Sequence, residues 1–281
     1  MAGIIWLASY PKSGNTWTRM FVENLLLDSG QAANINARKL FGVGEASLSW
    51  WRQVSDQPVE KLEPRRLAAL RPQVHRLLSG LSSDNVLVKT HNALIEYFGV
   101  PLITAEVTAG AVYVVRNPLD VCLSFADHFG VSVDRAIRMM GEETMVTPTD
   151  REHAFECLSS WSTHVQSWTA TQHPRLLVVR YEDLEAAPLE SFGAIARHLG
   201  HAPTPERLQR AIANCSFEEL RKQEEERDFK ERSKKARRFF RAGRSGQWRE
   251  QLSKLQVHRI VHAHRVAMGR FGYLDAGGSP L

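Results

Sequence analysis

The chain has 281 residues, 43% of them hydrophobic and 24% charged, with 36 Lys and Arg against 31 Asp and Glu for a net charge of +5. This composition excludes a largely disordered or collagenous chain, and the length suits a single domain over 1–281. No apolar run of about 18 residues is present, no signal-peptide pattern opens the chain, and three cysteines (Cys122, Cys157, Cys215) give neither a disulfide scaffold nor metal spacing, so a cytoplasmic setting is expected.

Ile4–Ser9 is a short apolar run, expected to form a strand buried on both faces. It leads through Tyr10-Pro11-Lys12-Ser13-Gly14-Asn15-Thr16 into a helix marked by Trp17, Met20, Phe21 and Leu25, with a stop at Asp28-Ser29-Gly30. Two helical stretches are expected near Pro58–Arg71 and Pro72–Leu81. Strands are expected over 85–90, 111–116 and 176–180. Asn117-Pro118 reads as an N-cap with proline at the first helical position. Helices are expected over 152–170, 188–199 and 204–213, then a charged segment over 218–249 and a closing helix through Leu252, Ile260 and Met268. Strands alternating with helices indicate an α/β fold, a three-layer α/β/α sandwich around a parallel sheet. Such sheets bind ligands at the carboxyl ends of their strands. Each strand here ends in polar groups: Lys12, then Lys89 and His91, then Arg116, then Arg180-Tyr181.

Four clusters carry chemistry. Lys12 to Thr16 lie between a strand and a helix N-terminus, where free backbone N–H groups and the helix dipole favour an anion. The order is not that of a Walker A loop, because the lysine precedes the glycine. In Lys89-Thr90-His91 a histidine just past a parallel strand suits a general base. Arg116 at a strand end and Ser124 two turns into the next helix suit a phosphate monoester. Phe239 to Trp248 form a basic loop with two glycines.

Together the chain resembles sulfotransferases that use 3′-phosphoadenosine-5′-phosphosulfate (PAPS). Five motifs stand in that family's order: Tyr10 to Trp17, Lys89 to His91, Arg116 to Ser124, Tyr181 to Leu184, and Arg241 to Trp248. The form of the first loop resembles bacterial members, including those that sulfate glycopeptide antibiotics. Asn15, Leu119 and Ala242 depart from common family residues, the last where a second basic residue is usual. The resemblance implies that Lys12, Ser13, Gly14, Asn15 and Thr16 hold the 5′-phosphosulfate in a P-loop-like turn. It implies that Arg116, Ser124, Arg241, Ala242 and Gly243 surround the 3′-phosphate, that Trp17 and Phe217 flank adenine, and that Tyr181 contacts the base. It implies His91 as general base, with Lys12 and Lys89 steadying charge. PAPS is the expected sulfuryl donor and no metal is expected. Transfer of a sulfuryl group is mostly in-line positioning and electrostatic stabilisation. Its charge is lower than that of a terminal phosphoryl group, so lysine and histidine can stand in for magnesium.

Two other readings share parts of the pattern. An ATP-dependent small-molecule kinase with an atypical loop would need a magnesium carboxylate, for which Asp183 is the nearest candidate. A non-enzymatic nucleic-acid binder would use the basic, aromatic segment 221–249. That segment holds twelve Lys and Arg against five Asp and Glu, so the basicity of the chain is local. Under the sulfotransferase reading, 218–249 is a mobile lid over an anionic nucleotide. The expected partner is a small-molecule or natural-product acceptor bearing a hydroxyl or amine, with no nucleic acid and no membrane span. Homodimer formation is left open. Trp50, Trp51, Trp161 and Trp168 suit core or acceptor-pocket walls, and His258 and His262 share a helix face without metal-ligand company.

Overall fold

The computed structural model describes residues 2–36, 43–233, 235–236, 238–241 and 243–281. In chain order its first half comprises β1 (Ile4–Ser9), α1 (Asn15–Leu27), β2 (Val43–Gly44), α2 (Leu48–Val54), α3 (Pro64–Ser79), β3 (Val86–Thr90), β4 (Glu96–Tyr97), β5 (Val100–Pro101), β6 (Thr108–Val115) and α4 (Pro118–Phe129). There follow α5 (Val133–Met140), β7 (Val146–Thr147), β8 (Glu156–Cys157), α6 (Trp161–Thr169), β9 (Leu176–Arg180), α7 (Tyr181–Ala186), α8 (Pro188–His198), α9 (Pro205–Ala213), α10 (Phe217–Arg227), α11 (Trp248–Gln251) and α12 (Lys254–Arg270).

The central five-stranded parallel sheet runs in the order β2-β3-β1-β6-β9 and is flanked by helices. β1 and β3 pair in parallel from Ile4–Val86 to Ala8–Thr90, so the segments that leave their carboxyl ends start from one edge. Almost every residue of Ile4–Ser9 is buried, which is why it reads as a continuous apolar run rather than an alternation.

By its contacts the chain divides into two compact units, residues 1–10, 42–113 and 140–178 in one and 11–41, 114–139 and 179–281 in the other. In the first, α3 packs on β1 and β3, and Trp6, Trp51 and Trp161 are fully buried. In the second, α1 packs against α8 and α9, and α12 against α4. Helix α4 begins as expected: the Asn117 side chain accepts from the Leu119 N–H at 3.1 Å and Pro118 fills the first helical position.

Two expectations are corrected. The two helical stretches around Pro72 are one helix, Pro64–Ser79, with Pro72 inside it. Pro72 removes one helical hydrogen bond, but Leu67, Ala68, Arg71, Val74, His75 and Leu78 keep a single buried face running through it. The helix expected over 152–170 begins only at Trp161. Before it, β8 pairs with β7, Ser159 adopts φ 56°, and Glu143 binds the hydroxyls of Ser159 and Ser160 at 3.1 and 2.8 Å. The Ser160 side chain then caps α6. The charged segment opens with α10, which covers Phe217–Arg227.

Candidate active site

The loop after β1 is shaped by two left-handed residues, Lys12 at φ 69° and Gly14 at φ 106°. A Cβ on Gly14 would meet Tyr181 Cδ2 at 2.7 Å, so glycine is required by conformation and by space. Helix α1 starts at Asn15 with no side-chain cap and no acidic residue in its first turn. Its first N–H groups are thus left to the loop. Ser13 is fully buried and its Oγ has no hydrogen-bond partner. Asn15 and Thr16 are buried beside it. The Lys12 ammonium lies 3.7 Å from the centroid of the Phe239 ring. Arg19, one turn further, bonds Thr16 Oγ1 at 3.2 Å and the Glu231 carboxylate at 2.7 Å.

Arg116, at the end of β6, donates to the Lys12 and Arg244 carbonyls, each at 3.3 Å, and its Cζ lies 4.0 Å from the Tyr181 ring centroid. Its buried Nε has no partner. Glu182 Oε1 accepts the Asn117 N–H at 3.0 Å, and its Oε2 accepts from the Tyr273 hydroxyl at 3.0 Å, which fixes the corner that follows Arg116. Arg241 is bonded to Gln247 and Gln251, each at 3.2 Å. Burial lowers its pKa, opposed by Asp127 and reinforced by the charge of Arg116. Two guanidinium groups that feel each other in a part-buried corner, with orphaned Ser13 Oγ and Arg116 Nε, fit a multiply charged anion.

Residues 243–248 are held to this corner by acidic side chains. Asp120 accepts the N–H groups of Gly246 at 2.7 Å and Trp248 at 3.2 Å, and Glu185 accepts that of Ser245 at 2.9 Å. Gly243, at φ 61°, passes over Phe217 so closely that a Cβ would lie 2.2 Å from the ring. Trp17 packs against Tyr181 and Phe192, with ring centroids 5.5 and 5.2 Å away. Ser124 is half-buried in α4. Ala242 lies outside the described residues.

The first unit holds Lys89 and His91. His91 Nδ1 lies 2.8 Å from the Ser9 carbonyl oxygen. A carbonyl only accepts, so Nδ1 carries the hydrogen and the neutral ring has its lone pair on Nε2. The His91 N–H donates to Glu156 Oε1 at 3.0 Å, and its carbonyl accepts from His164 Nε2 at 3.1 Å. The Tyr113 hydroxyl in turn donates to His164 Nδ1 at 2.9 Å. Burial pushes the His164 pKa down to about 4, so it serves as a neutral relay of hydrogen bonds. Burial raises the pKa of Glu156 against the pull of the Lys89 ammonium.

Sequence reasoning missed the carboxylates. Asp120 and Glu182 sit inside the Asn-Pro-x-Asp and Tyr-Glu-Asp motifs, and that position was the available signal. Glu156, Glu185 and His164 had none. Asp183, the magnesium candidate of the kinase reading, is half-exposed and lies 3.8 Å from Arg180. Among the described residues no group of three or more His, Cys, Asp or Glu could hold a metal ion, and no helix is long and apolar enough to cross a membrane. Several cations of the basic segment are paired within or beside it, as in Arg221–Glu225, Arg238–Glu225, Arg232–Asp228 and Arg244–Glu250.

Residues 3–272 match the sulfotransferase domain family. Flavonol 3-sulfotransferase of Flaveria bidentis is 24% identical over 273 residues, covering 91% of this chain and 78% of its own. Cytosolic sulfotransferase 13 of Arabidopsis thaliana is 26% identical over 271 residues, covering 91% and 74%. Among solved structures, a retinol dehydratase in complex with androsterone and the inactive cofactor PAP aligns with TM-score 0.64 at 21% identity, over 94% of this chain and 80% of that one. A mouse sulfotransferase complexed with PAP aligns with TM-score 0.60 at 17% identity, over 95% and 84%. At these identities the two structures speak for the fold.

Proposed function

The chain belongs to the sulfotransferase family and is a PAPS-dependent sulfotransferase, and from that premise we propose that it transfers the sulfuryl group in line to a hydroxyl, with His91 as general base. When bound, PAPS supplies a sulfuryl group activated by its anhydride link to phosphate. Lys12, Ser13 Oγ and the backbone N–H groups of 14–16 hold the 5′ end. Arg116, Ser124, Arg241 and Gly243 hold the 3′-phosphate. Trp17 and Phe217 flank the adenine, and Tyr181, with the Arg116 guanidinium over its ring, contacts the base. Lys89 steadies charge on the transferred group. His91 Nε2 takes the proton of the acceptor hydroxyl. Segment 218–249 acts as the lid, with Asp120 and Glu185 as its anchors, and within it Glu224 accepts the N–H groups of Phe239 and Phe240 at 2.6 and 2.9 Å.

The observation that carries this reading is the 2.8 Å bond from His91 Nδ1 to the Ser9 carbonyl, which assigns the lone pair to Nε2. The acceptor class follows the names of the relatives. One is a flavonol sulfotransferase and one structure contains androsterone, so a flat hydrophobic molecule with a hydroxyl is proposed. The test incubates the protein with sulfur-labelled PAPS and a panel of phenols, sterols, amines and glycopeptides. Label is expected on a phenol or sterol hydroxyl. His91→Ala should lose at least about 100-fold in turnover while still binding PAP. Full turnover in that variant removes His91 from the mechanism.

A further inference from the structure

Behind His91 lies a buried ionic cluster to which the reaction above assigns no role. Glu45 follows β2 directly, its N–H donates to the Lys89 carbonyl at 3.2 Å, and its side chain is fully buried. Oε2 accepts from Arg71 Nη1 at 2.9 Å and from His75 Nε2 at 2.7 Å. Oε1 accepts from the Thr90 hydroxyl and from Asn92 Nδ2, the latter at 2.6 Å. Arg71 and His75 are themselves fully buried. Arg71 also donates to the Phe155 carbonyl at 3.0 Å, and His75 Nδ1 meets the Thr104 hydroxyl at 2.8 Å.

The two residues held by Oε1 are the neighbours of His91 on either side. They are bonded to each other as well, since the Asn92 N–H donates to Thr90 Oγ1 at 3.0 Å. Asn92 is further fixed through Oδ1, which accepts the Cys157 N–H at 2.7 Å, and through its carbonyl, which accepts from Trp168 Nε1 at 3.0 Å. One carboxylate with four donors therefore sets the backbone on both sides of the histidine ring. A buried ion pair is a weak source of net stability compared with an apolar core of equal volume. A fully satisfied buried polar cluster is a strong way to fix one geometry.

We propose that Glu45 is a positioning residue for sulfuryl transfer: through Thr90 and Asn92 it holds His91 on the Ser9 carbonyl as its Nδ1–H tautomer. This rests on the reading of His91 as general base. Glu45 acts only through its neighbours and touches neither donor nor acceptor.

Three variants test it. Glu45→Gln keeps size but turns an amide toward Arg71 and His75. Thr90→Val keeps shape but removes the hydroxyl that joins Glu45 to Asn92. Thr90→Ser keeps the hydroxyl. Glu45→Gln and Thr90→Val should lower kcat by about tenfold or more, the scale expected when a catalytic group is loosely held. PAP affinity, measured by titration calorimetry, should be unchanged, because none of the nucleotide-holding residues is altered. Nitrogen-15 spectra should show His91 as one Nδ1–H tautomer in the native protein and as a mixture in Thr90→Val. Thr90→Ser should recover most of the lost turnover. Where Glu45→Gln does not fold, Thr90→Val carries the test alone. A folded Thr90→Val protein with native kcat, or with an unchanged His91 tautomer, overturns the proposal, as does a loss that Thr90→Ser fails to relieve. His91→Ala, assayed in parallel, separates the two levels. If it stays active, the base reading itself fails. If it is inactive while Thr90→Val is fully active, only the role of Glu45 fails.

Discussion

The guanidinium of Arg116 lies over the ring of Tyr181, Cζ to centroid 4.0 Å, and the same ring leaves no room for a side chain on Gly14. One aromatic ring thus joins the anion loop to the arginine at the end of β6. A lysine at 116 could keep the charge but neither the fork nor the stacking. Arg116→Lys should therefore weaken PAP binding by about tenfold to 100-fold, the equivalent of one charge-assisted hydrogen bond. Titration calorimetry measures this directly, and the melting temperature should change little.

Gly14→Ala should damage fold and site together. Left-handed strain costs about 1–3 kcal/mol in a residue with a Cβ, and the contact with Tyr181 at 2.7 Å adds to it. A lower melting temperature and undetectable PAP binding are the expected pair of results. Native PAP affinity in this variant would argue against the cradle.

Asp120→Ala should release the loop that Asp120 holds through Gly246 and Trp248. Two N–H groups then lose a charged acceptor, at about 1–3 kcal/mol each where buried. PAP affinity should fall, and limited proteolysis should cut near residues 241–247 faster than in the native chain. Unchanged cleavage would show that other contacts hold the loop.

Stability should decline on mild acidification. His164 is buried and its pKa is down at about 4. Between about 4 and the ordinary histidine value near 6.5 the unfolded chain binds a proton that the folded chain refuses, so stability is full above that window and falls as pH drops through it. The effect is on the order of 3 kcal/mol. Burial lowers His75 and His201 in the same direction. Burial would raise Glu45, but Arg71 and the His75 bond bring it to about 2, so its contribution is lost only as pH falls below the ordinary carboxylate range. Glu156 and Glu182, raised by burial, work oppositely. Melting temperatures from pH 7.5 down to 4.5 check the sign, and His164→Gln should flatten the slope. A melting temperature that does not fall over that range would contradict the assignment.

Much of this was legible from sequence because it is local. Ile4–Ser9 is buried on both sides and so is uniformly apolar, and Asn117-Pro118 states a helix start in two residues. Lys12, Gly14 and Arg116 follow strand ends, where parallel sheets place ligand groups. The failures have a different cause. Pro72 sits inside a helix because tertiary burial outweighs one missing hydrogen bond. Residues 152–160 leave the helix because Glu143 and the β7–β8 pairing capture them. Glu45 reaches Thr90 and Asn92 across more than forty positions, a relation that no spacing or composition encodes.

The most direct measurement is calorimetric titration of the native protein with PAP and, separately, with ATP. The sulfotransferase site described above predicts one PAP per chain with micromolar affinity, lost in Arg116→Ala, and no detectable ATP binding. Tight ATP binding with none for PAP would contradict it.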